Sequence, residues 1–195
     1  MIKIKSLAQL GLLALALGLG GCASPLLLAG GAAGGAAVAH DERTVGSQID
    51  DTSIEFKAGS ELGQDPQLKG HSHINVTSYN GIVLLTGEVD TPALRARATA
   101  ISAKIERVRR VQNELVVAPP SSLGQRTDDT WITTKVKSRL LSADNVDGTR
   151  IKVITERKVV YLMGIVSRKM GDLAANAAAT ISGVQRVVKV FEYTD

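Results

Sequence analysis

The hydrophobic residues in the last third of the chain follow first a helical period and then a strand-like one. Three of them recur at i, i+4 and i+8, which places them on one face of a helix: Ile132, Val136 and Leu140. The next four elements are an alternating strand, a strand that is apolar nearly throughout, an alanine-rich helix and a final strand, over residues 150–155, 159–166, 169–181 and 184–191. The pattern therefore predicts the order helix, strand, strand, helix, strand.

The same order occurs a second time upstream, at an offset of 76 to 78 positions. Asp50-Asp51-Thr52-Ser53-Ile54 matches Asp128-Asp129-Thr130-Trp131-Ile132, and Val83-Leu84-Leu85-Thr86-Gly87 matches Val160-Tyr161-Leu162-Met163-Gly164. In the first copy Asn80-Gly81 lies between the two strands, and this dipeptide is a strong signal for a tight hairpin. Repeated units of this kind fix an architecture. We therefore predict an α+β fold of two similar domains, each with two helices on a three-stranded sheet.

Residues with known terminal preferences predict where the helices begin and end. Asp50-Asp51 and Asp128-Asp129 come just before the apolar stripes, and acidic residues are favoured at helix N-termini, so they are predicted to cap the first helix of each copy. Pro92 suits the first turn of the second helix, which is expected over residues 92–106. Gly183 is predicted to end the corresponding helix of the second copy.

Composition divides the chain into five segments. Residues 1–21 carry two lysines and then an uncharged run of Leu, Ala and Gly, as in a secretory signal peptide. Residues 22–46 are rich in Gly and Ala and then polar, which predicts a flexible tether. The two folded domains are expected over residues 47–117 and 128–195, and the Pro-, Ser- and Gly-containing residues 118–127 are expected to link them.

The signal segment ends in Leu19-Gly20-Gly21-Cys22, which resembles the lipobox of bacterial lipoproteins. The resemblance implies cleavage before Cys22 and acylation of its thiol and its new amine, and several acyl chains anchor a protein firmly. Because Cys22 is the only cysteine, stability must come from packed cores rather than from disulfides. The alternative is a retained transmembrane helix, since the uncharged stretch is long enough to span a bilayer, although its Gly-rich second half forms helices poorly.

Charge and reactive side chains exclude several functions. Without residues 1–21 the formal charge falls from +4 to +2, which gives no reason to expect a nucleic-acid partner. His40 lies in the tether, and His71 and His73 have no third ligand at metal-binding spacing, so we expect no metal site. The glycine pairs near the N-terminus do not follow a strand, as a phosphate loop would require. We therefore expect a protein that is not an enzyme and uses no cofactor.

The first helix of the second copy carries a candidate binding surface. Trp131 is the only tryptophan and lies about 140° from the centre of the apolar stripe, so it points outward. The predicted surface also contains five other residues of this helix: Lys135, Lys137, Ser138, Arg139 and Leu141. A tryptophan flanked by cations suits the lipid headgroup region, where the indole spans the polar boundary and the cations meet phosphates. The alternative is that Trp131 packs against the other copy or the linker and that the cations are only solvated.

The repeated unit resembles the BON domain, an αββαβ module of this size. The resemblance rests on the strand ends at residues 83–87 and 161–164 and on the closing segment Gly183-Val184-Gln185-Arg186-Val187. With the lipobox and residues 129–136, the whole chain resembles the family of dual BON-domain outer-membrane lipoproteins. The resemblance implies that the second domain binds anionic phospholipid (phosphatidylglycerol or cardiolipin) and that the protein maintains outer-membrane integrity. It also implies enrichment at the division site and contact with the outer-membrane protein assembly machinery.

The residue after Cys22 bears on which membrane is expected. In lipoproteins of this class an Asp at that position resembles a signal for retention in the inner membrane. The residue here is Ala23, so the resemblance implies the outer membrane, with the protein on its periplasmic face. Two other functions remain open because a fold does not fix an activity. One is a protein-binding adaptor of the envelope, and the other is a sensor of small ligands or peptidoglycan.

Overall fold

The computed structural model describes residues 43–195, and its elements follow the predicted order in both copies. The first copy consists of α1 (Val45–Gln64), β1 (Ser72–Tyr79), β2 (Ile82–Val89), α2 (Pro92–Ser102), β3 (Arg110–Asn113) and β4 (Val116–Val117). The second copy consists of α3 (Leu123–Leu141), β5 (Lys152–Glu156), β6 (Val159–Val166), α4 (Arg168–Ala179) and β7 (Arg186–Tyr193). The predicted α+β class is confirmed. The predicted signal peptide, Cys22 and most of the predicted tether lie outside the described residues.

Each copy forms a mixed sheet with its second strand at the centre. β1 pairs with β2 and β5 pairs with β6 in antiparallel fashion, whereas the third strand position is parallel to the central strand in both sheets. In the second copy this position is one continuous strand, β7. In the first copy it is divided into β3 and β4 by Glu114 and Leu115. The three predicted strand positions are therefore present in both sheets.

The central strands are largely apolar and are buried on both faces, with Thr86 and Glu88 as the polar exceptions in β2. In β2, Val83 and Leu85 belong to a cluster with residues of α1 and α2. The alternate residues Ile82 and Leu84 belong to a different cluster, which also contains Tyr161 of β6. One apolar cluster thus lies between helices and sheet in each copy, and a third joins the two sheets. The layers are helix, sheet, sheet, helix, so the outer faces of the helices are free surface.

Several element boundaries differ from those predicted. α1 begins at Val45, inside the predicted tether, and α3 begins at Leu123, inside the predicted linker. The alanine-rich helices end at Ser102 and Ala179, two to four residues before the ends predicted from composition. Gly183 lies in the turn after the second of these helices rather than at its end, and its φ of +99° is in the region that favours glycine.

The acidic pairs do not cap the helices, and that prediction is wrong. Thr44 caps α1, where its hydroxyl oxygen accepts a hydrogen bond from a backbone N–H of the first turn. Ser122 caps α3 in the same way. Asp51 and Asp129 therefore lie in the second turn of their helices, where they are only 3% and 5% exposed. A buried carboxylate needs hydrogen-bond donors, and both aspartates find them outside their own helix.

Asp51 holds the hairpin turn of the first copy. Its carboxylate accepts hydrogen bonds from the N–H groups of Asn80 at 2.7 Å and Gly81 at 2.9 Å, and from the Ser78 hydroxyl at 2.6 Å. Burial raises the pKa of Asp51, but these hydrogen bonds and one from Arg43 outweigh the burial, so the pKa lies below its ordinary value. The predicted Asn80-Gly81 turn is confirmed, with φ of 50° and 73°.

Asp129 holds the corresponding turn of the second copy, which contains neither Asn nor Gly. Its carboxylate accepts hydrogen bonds from the N–H groups of Arg157 and Lys158, both at 2.8 Å. These two residues have φ of 51° and 64°. Left-handed backbone costs a residue with a side chain roughly 1 to 2 kcal/mol. The charge-assisted hydrogen bonds to Asp129 offset that cost and explain how an Arg-Lys dipeptide forms a tight turn here.

The same two turns also join the copies across the sheet interface. The Arg157 guanidinium donates to the Glu88 carboxylate at 3.1 Å, and the Asn80 side-chain amide donates to the Glu192 carboxylate at 2.8 Å. Glu88 is 1% exposed. Burial raises the pKa of Glu88, but hydrogen bonds from Arg157 and His73 outweigh the burial and lower it. The interface between the copies is therefore held by paired charges as well as by apolar packing.

Replacing Asp129 by alanine tests the role of this carboxylate. We expect D129A to lower the free energy of unfolding by about 2 to 4 kcal/mol, because it leaves two strained N–H groups without their charged acceptor. The neighbouring Asp128 is exposed and serves as the matched control, so D128A is expected to change stability by less than about 0.5 kcal/mol. Urea denaturation followed by circular dichroism measures both. Equal losses in the two variants would contradict this role for Asp129.

Glu156 at the same interface gives stability a pH dependence. Burial raises the pKa of Glu156, and the Glu88 and Asp129 carboxylates add to the rise, against a hydrogen bond from Asn75 that lowers it. Its charged form is therefore disfavoured in the folded state. Stability from this group is fully present below the ordinary pKa of 4.5 and is lost as the pH rises through the folded-state value.

Glutamine at position 156 keeps an acceptor for Asn75 without the charge. We therefore expect E156Q to be more stable than the wild type at pH 7 and equally stable at a pH below about 4. Chemical denaturation at both pH values measures this difference. A variant that is less stable at pH 7 would show that the charge of Glu156 supports the fold.

Candidate functional site on helix α3

Two side chains fix the start of α3. The Ser122 hydroxyl oxygen accepts a hydrogen bond from the Gln125 N–H at 3.3 Å, and the Gln125 side-chain oxygen accepts one from the Ser122 N–H at 2.8 Å. This reciprocal arrangement satisfies two donors at the helix end. It extends the helix into the predicted linker and places Leu123 and Arg126 on it. The Ser-x-x-Gln spacing is the sequence signal that locates this start.

The buried side of α3 determines which residues face outward. Ile132, Val136 and Leu140 are at most 3% exposed and pack in the core of the second copy. At 100° per residue, the opposite side of the helix carries a row of exposed residues. We call this row the Trp131 face: Leu123, Thr127, Thr130, Trp131, Thr134, Ser138 and Leu141.

Trp131 projects from this face into solvent. Its side chain is 61% exposed, so it does not pack against the first copy or the linker, which was the alternative raised by the sequence. The Lys135 ammonium lies 4.9 Å from the centroid of the indole ring. Such a cation–π contact is worth roughly 0.5 to 1 kcal/mol at an exposed site. It keeps a positive charge beside the ring and holds the ring in place on the helix.

The threonines of the Trp131 face use their hydroxyl groups within the helix. Thr127, Thr130 and Thr134 each donate to the backbone carbonyl four residues earlier, at 2.9 to 3.0 Å. A hydroxyl that donates to its own helix in this way needs no acceptor from outside. The face is therefore less polar than its sequence suggests, and its large exposed side chains are apolar: Leu123, Trp131 and Leu141.

Cations lie along both sides of the Trp131 face. Arg126 and Lys137 are on one side, and Lys135 and Arg139 are on the other. Arg139 is in the last helical turn, where a positive charge also meets the negative end of the helix dipole. An uncharged row with large apolar side chains, bordered by positive charge, is an arrangement that suits an interface between hydrocarbon and anionic headgroups.

The residues of the Trp131 face include no carboxylate. Asp129 is buried at the hairpin turn, whereas the exposed Asp128 lies beside the face, on the side that carries Lys135 and Arg139. The corresponding helix of the first copy differs in charge. α1 has one basic and four acidic residues, whereas α3 has four basic and two acidic ones. The two helices occupy equivalent places in the fold, so the difference in charge is not required by the fold.

The residues that the sequence predicted for this site all lie on α3, with Lys137 and Arg139 on opposite sides of the Trp131 face. Five of them lie along the exposed part of α3 with Trp131: Lys135, Lys137, Ser138, Arg139 and Leu141. Leu141 is 63% exposed. Val146, which follows the helix, packs against the core of the second copy and is not part of this surface. Leu123 and Arg126 were missed because the linker composition hid the first turn of the helix.

The histidines of the described region are held by separate carboxylates. His71 Nδ1 lies 2.8 Å from Asp90, and His73 Nδ1 lies 3.1 Å from Glu88. Within residues 43–195, no three His, Cys, Asp or Glu side chains are grouped so as to hold a metal ion. In the same region, no helix is both long enough and apolar enough to cross a bilayer.

Comparison with known proteins identifies a matching domain family and several similar proteins. The family model of the BON domain matches residues 50–119 and 128–195. The chain is 42% identical over 194 residues to the outer membrane lipoprotein DolP of Haemophilus influenzae, which covers 97% of this chain and 100% of that protein. It is 40% identical over 153 residues to the 21 kDa hemolysin of Actinobacillus pleuropneumoniae, with 78% and 79% covered.

A more distant relative is the osmotically-inducible protein Y of Escherichia coli. It is 32% identical over 146 residues, which cover 73% of this chain and 72% of that protein. None of the three names states an enzymatic reaction.

Proposed function

This chain belongs to the BON-domain family, and from that premise we propose that it is a lipid-anchored outer-membrane lipoprotein whose Trp131 face binds anionic phospholipid. In this proposal the protein is not an enzyme. Its acylated Cys22 anchors it in the periplasmic leaflet, and its second BON domain binds the lipid headgroups there. The observation that carries the proposal is an exposed tryptophan, with a lysine ammonium beside its ring, in an uncharged row that has two cations on each side and a single exposed carboxylate, Asp128, beside it.

The anchor is proposed from the N-terminal sequence. Leu19-Gly20-Gly21-Cys22 provides the small residues and the thiol that lipoprotein processing uses, and Ala23 gives no inner-membrane signal. The outer membrane lipoprotein of Haemophilus influenzae aligns with this chain over its whole length, which supports an outer-membrane localisation for this chain too. Each buried methylene contributes about 0.8 kcal/mol, so several acyl chains hold the protein without help from the folded domains.

The Trp131 face then adds selectivity to an attachment that the anchor already provides. The indole is favoured at the depth of the headgroups because its ring is apolar and its N–H is polar. Each lysine or arginine near an anionic surface contributes about 1 kcal/mol, and four lie beside the face. Phosphatidylglycerol and cardiolipin are the proposed lipids because both carry negative phosphates without a neutralising amine. By family resemblance, the proposed role is outer-membrane integrity, with enrichment at the division site and contact with the assembly machinery.

A second candidate function is a protein-binding adaptor of the envelope without its own lipid specificity. The observation in its favour is on α1, whose outward side chains include the exposed Ile49 and Phe56 and whose net charge is negative. The two functions differ in one measurable respect, because only the first requires the second domain to distinguish anionic from neutral vesicles.

Vesicle sedimentation tests the lipid site without the anchor. The fragment from Asp41 onward retains all three apolar clusters and lacks Cys22. We expect it to pellet with vesicles that contain phosphatidylglycerol and not with phosphatidylcholine alone. W131E is expected to weaken the binding at least about tenfold, and K137E at least about fivefold.

The matched control for K137E is K69E, which makes the same charge change at an exposed position outside α3. It is expected to leave binding within about twofold of the wild type. Circular dichroism confirms that each variant is folded. Equal weakening by K69E and K137E would mean that only net charge matters, and no binding by the wild type would favour the adaptor function.

Labelling with a radioactive fatty acid tests the anchor. The wild type is expected to incorporate the label and to fractionate with the outer membrane, whereas C22S is expected to do neither, because serine has no thiol for acylation. A23D is the matched variant, expected to keep the label and move to the inner membrane. If C22S incorporates no label but still resists extraction from membranes by carbonate, the result would instead support a retained transmembrane helix.

A further inference from the structure

The outward side of α1 carries exposed apolar side chains that neither the fold nor the lipid site uses. Val45, Ile49 and Phe56 are 59%, 64% and 77% exposed. They belong to a row whose members are spaced alternately four and three residues apart, which we call the α1 seam: Val45, Ile49, Thr52, Phe56, Gly59 and Gly63. A 4–3 spacing keeps a row on one face of a helix and is the pattern by which two helices pack side by side.

The two glycines of the α1 seam are not explained by the folded chain itself. A Cβ atom built on Gly59 or Gly63 meets nothing within 4 Å, and neither residue has a left-handed φ. Glycine is among the poorest residues for the interior of a helix, where Gly59 lies, whereas Gly63 is in the last turn. Both glycines nevertheless lie on the exposed side of α1, in the same row as Phe56. What they provide is room for something that approaches the helix from outside.

We propose that the α1 seam is a homodimer interface in which α1 of two copies pack antiparallel about a two-fold axis near residue 54. Val45 and Ile49 lie at the N-terminal end of the seam and Gly59 and Gly63 at its C-terminal end, with Thr52 and Phe56 between them. In the antiparallel arrangement Val45 faces Gly63 of the second copy, Ile49 faces Gly59, and Phe56 faces Thr52. Each large side chain thus meets a small one, and the same contacts occur twice, as a two-fold interface requires.

A second copy fits this surface better than a membrane or a parallel partner does. The seam contains no charge, and α1 as a whole has three more acidic than basic residues, which is unfavourable beside anionic lipid. In a parallel pair Phe56 would face Phe56 and the glycines would face glycines, which leaves a gap at one end. The residues along one side of the seam are also small and uncharged, so this side permits close approach: Gly46, Ser53 and Ser60. On the other side, the Glu55 carboxylate is paired within its own chain with the Lys152 ammonium at 3.0 Å.

The equivalent row on α3 does not have this property. Its members, 78 positions later, are Leu123, Thr127, Thr130, Thr134, Lys137 and Leu141. Lysine stands where the α1 seam has Gly59, so close antiparallel packing would bury a charge. Because α1 and α3 belong to different helix layers, dimerisation through α1 leaves Trp131 of both copies uncovered. The proposal therefore stands independently of lipid binding.

The α1 seam predicts a weak association. From Val45 to Gly63 the helix is about 27 Å long at 1.5 Å per residue. One pair of helices of this length buries less than the roughly 1,600 Å² of a standard stable interface. We therefore expect dissociation in the micromolar range or weaker in solution, with dimers formed mainly where the anchor concentrates the protein on a surface.

Disulfide cross-linking of the full chain in phosphatidylcholine vesicles tests the geometry. We expect a mixture of I49C and G59C chains to form covalent dimers at least about fivefold more efficiently than either variant alone. In the antiparallel pair these positions face each other, whereas each lies about 15 Å from its own symmetry mate, beyond the reach of a disulfide. The wild type, with Cys22 only, gives the baseline. Cross-linking of I49C alone that equals the mixture would overturn the antiparallel arrangement.

A charge placed in the α1 seam provides a second test. G59K is expected to fold at least as well as the wild type and to weaken self-association at least tenfold, measured by fluorescence energy transfer between full chains on the same vesicles. The matched control, E61K, adds lysine to an exposed position outside the seam and is expected to associate within about twofold of the wild type. Wild-type association that G59K leaves unchanged, or no association of the wild type at any surface density, would overturn the proposal.

Binding of G59K to phosphatidylglycerol vesicles separates this proposal from the lipid site. We expect it to equal that of the wild type, because the Trp131 face is unchanged. Lipid binding that fails while cross-linking succeeds would overturn only the lipid function.

Discussion

A buried aspartate that grips a hairpin turn is the contact on which each half of this molecule depends. Asp51 and Asp129 occupy the same place in the second turn of their helices, and each binds two backbone N–H groups of the turn between its first two strands. The contact spans about thirty residues of sequence and fixes how the helix sits on the sheet. In the second copy it also sustains two left-handed residues that carry full side chains. The strained turn persists because a charged acceptor is buried beneath it.

The gripped turns have a second consequence, since their side chains reach the opposite copy. The Arg157 guanidinium pairs with the buried Glu88, and the Asn80 amide binds Glu192. The backbone of each turn thus binds the helix of its own domain, and a side chain of the same turn binds the other domain. With the apolar cluster around Tyr161, these contacts bury both faces of the central strands. The helices lie on the outside of a four-layered molecule, and their outward faces do not pack in any of the three apolar clusters.

Much of this architecture follows from sequence periodicity, and the exceptions have a physical cause. The repeat, the element order and the outward position of Trp131 follow from local spacing alone. The acidic pairs were misassigned as caps because Asp is favoured both at helix ends and beneath a turn, and sequence spacing does not distinguish the two. The true cap, Ser122, lies in a stretch whose prolines and serines resemble a linker. Packing of sheet on sheet shows in the sequence only as central strands that are apolar on both faces.

Duplication makes the divergence of the outer faces informative. Both copies have the aspartate, the hairpin and the buried helical stripe, so the requirements of the fold account for these features in each. It does not account for tryptophan and four cations on one helix and exposed Phe56 with two unneeded glycines on the other. Residues that the fold leaves free yet that differ sharply between equivalent helices are where separate contacts are expected. A charged, aromatic face suits a polar lipid boundary. An uncharged face of large and small residues suits another helix. The same fold therefore presents two chemically distinct surfaces on helices in separate layers, so that a partner on one surface does not block the other.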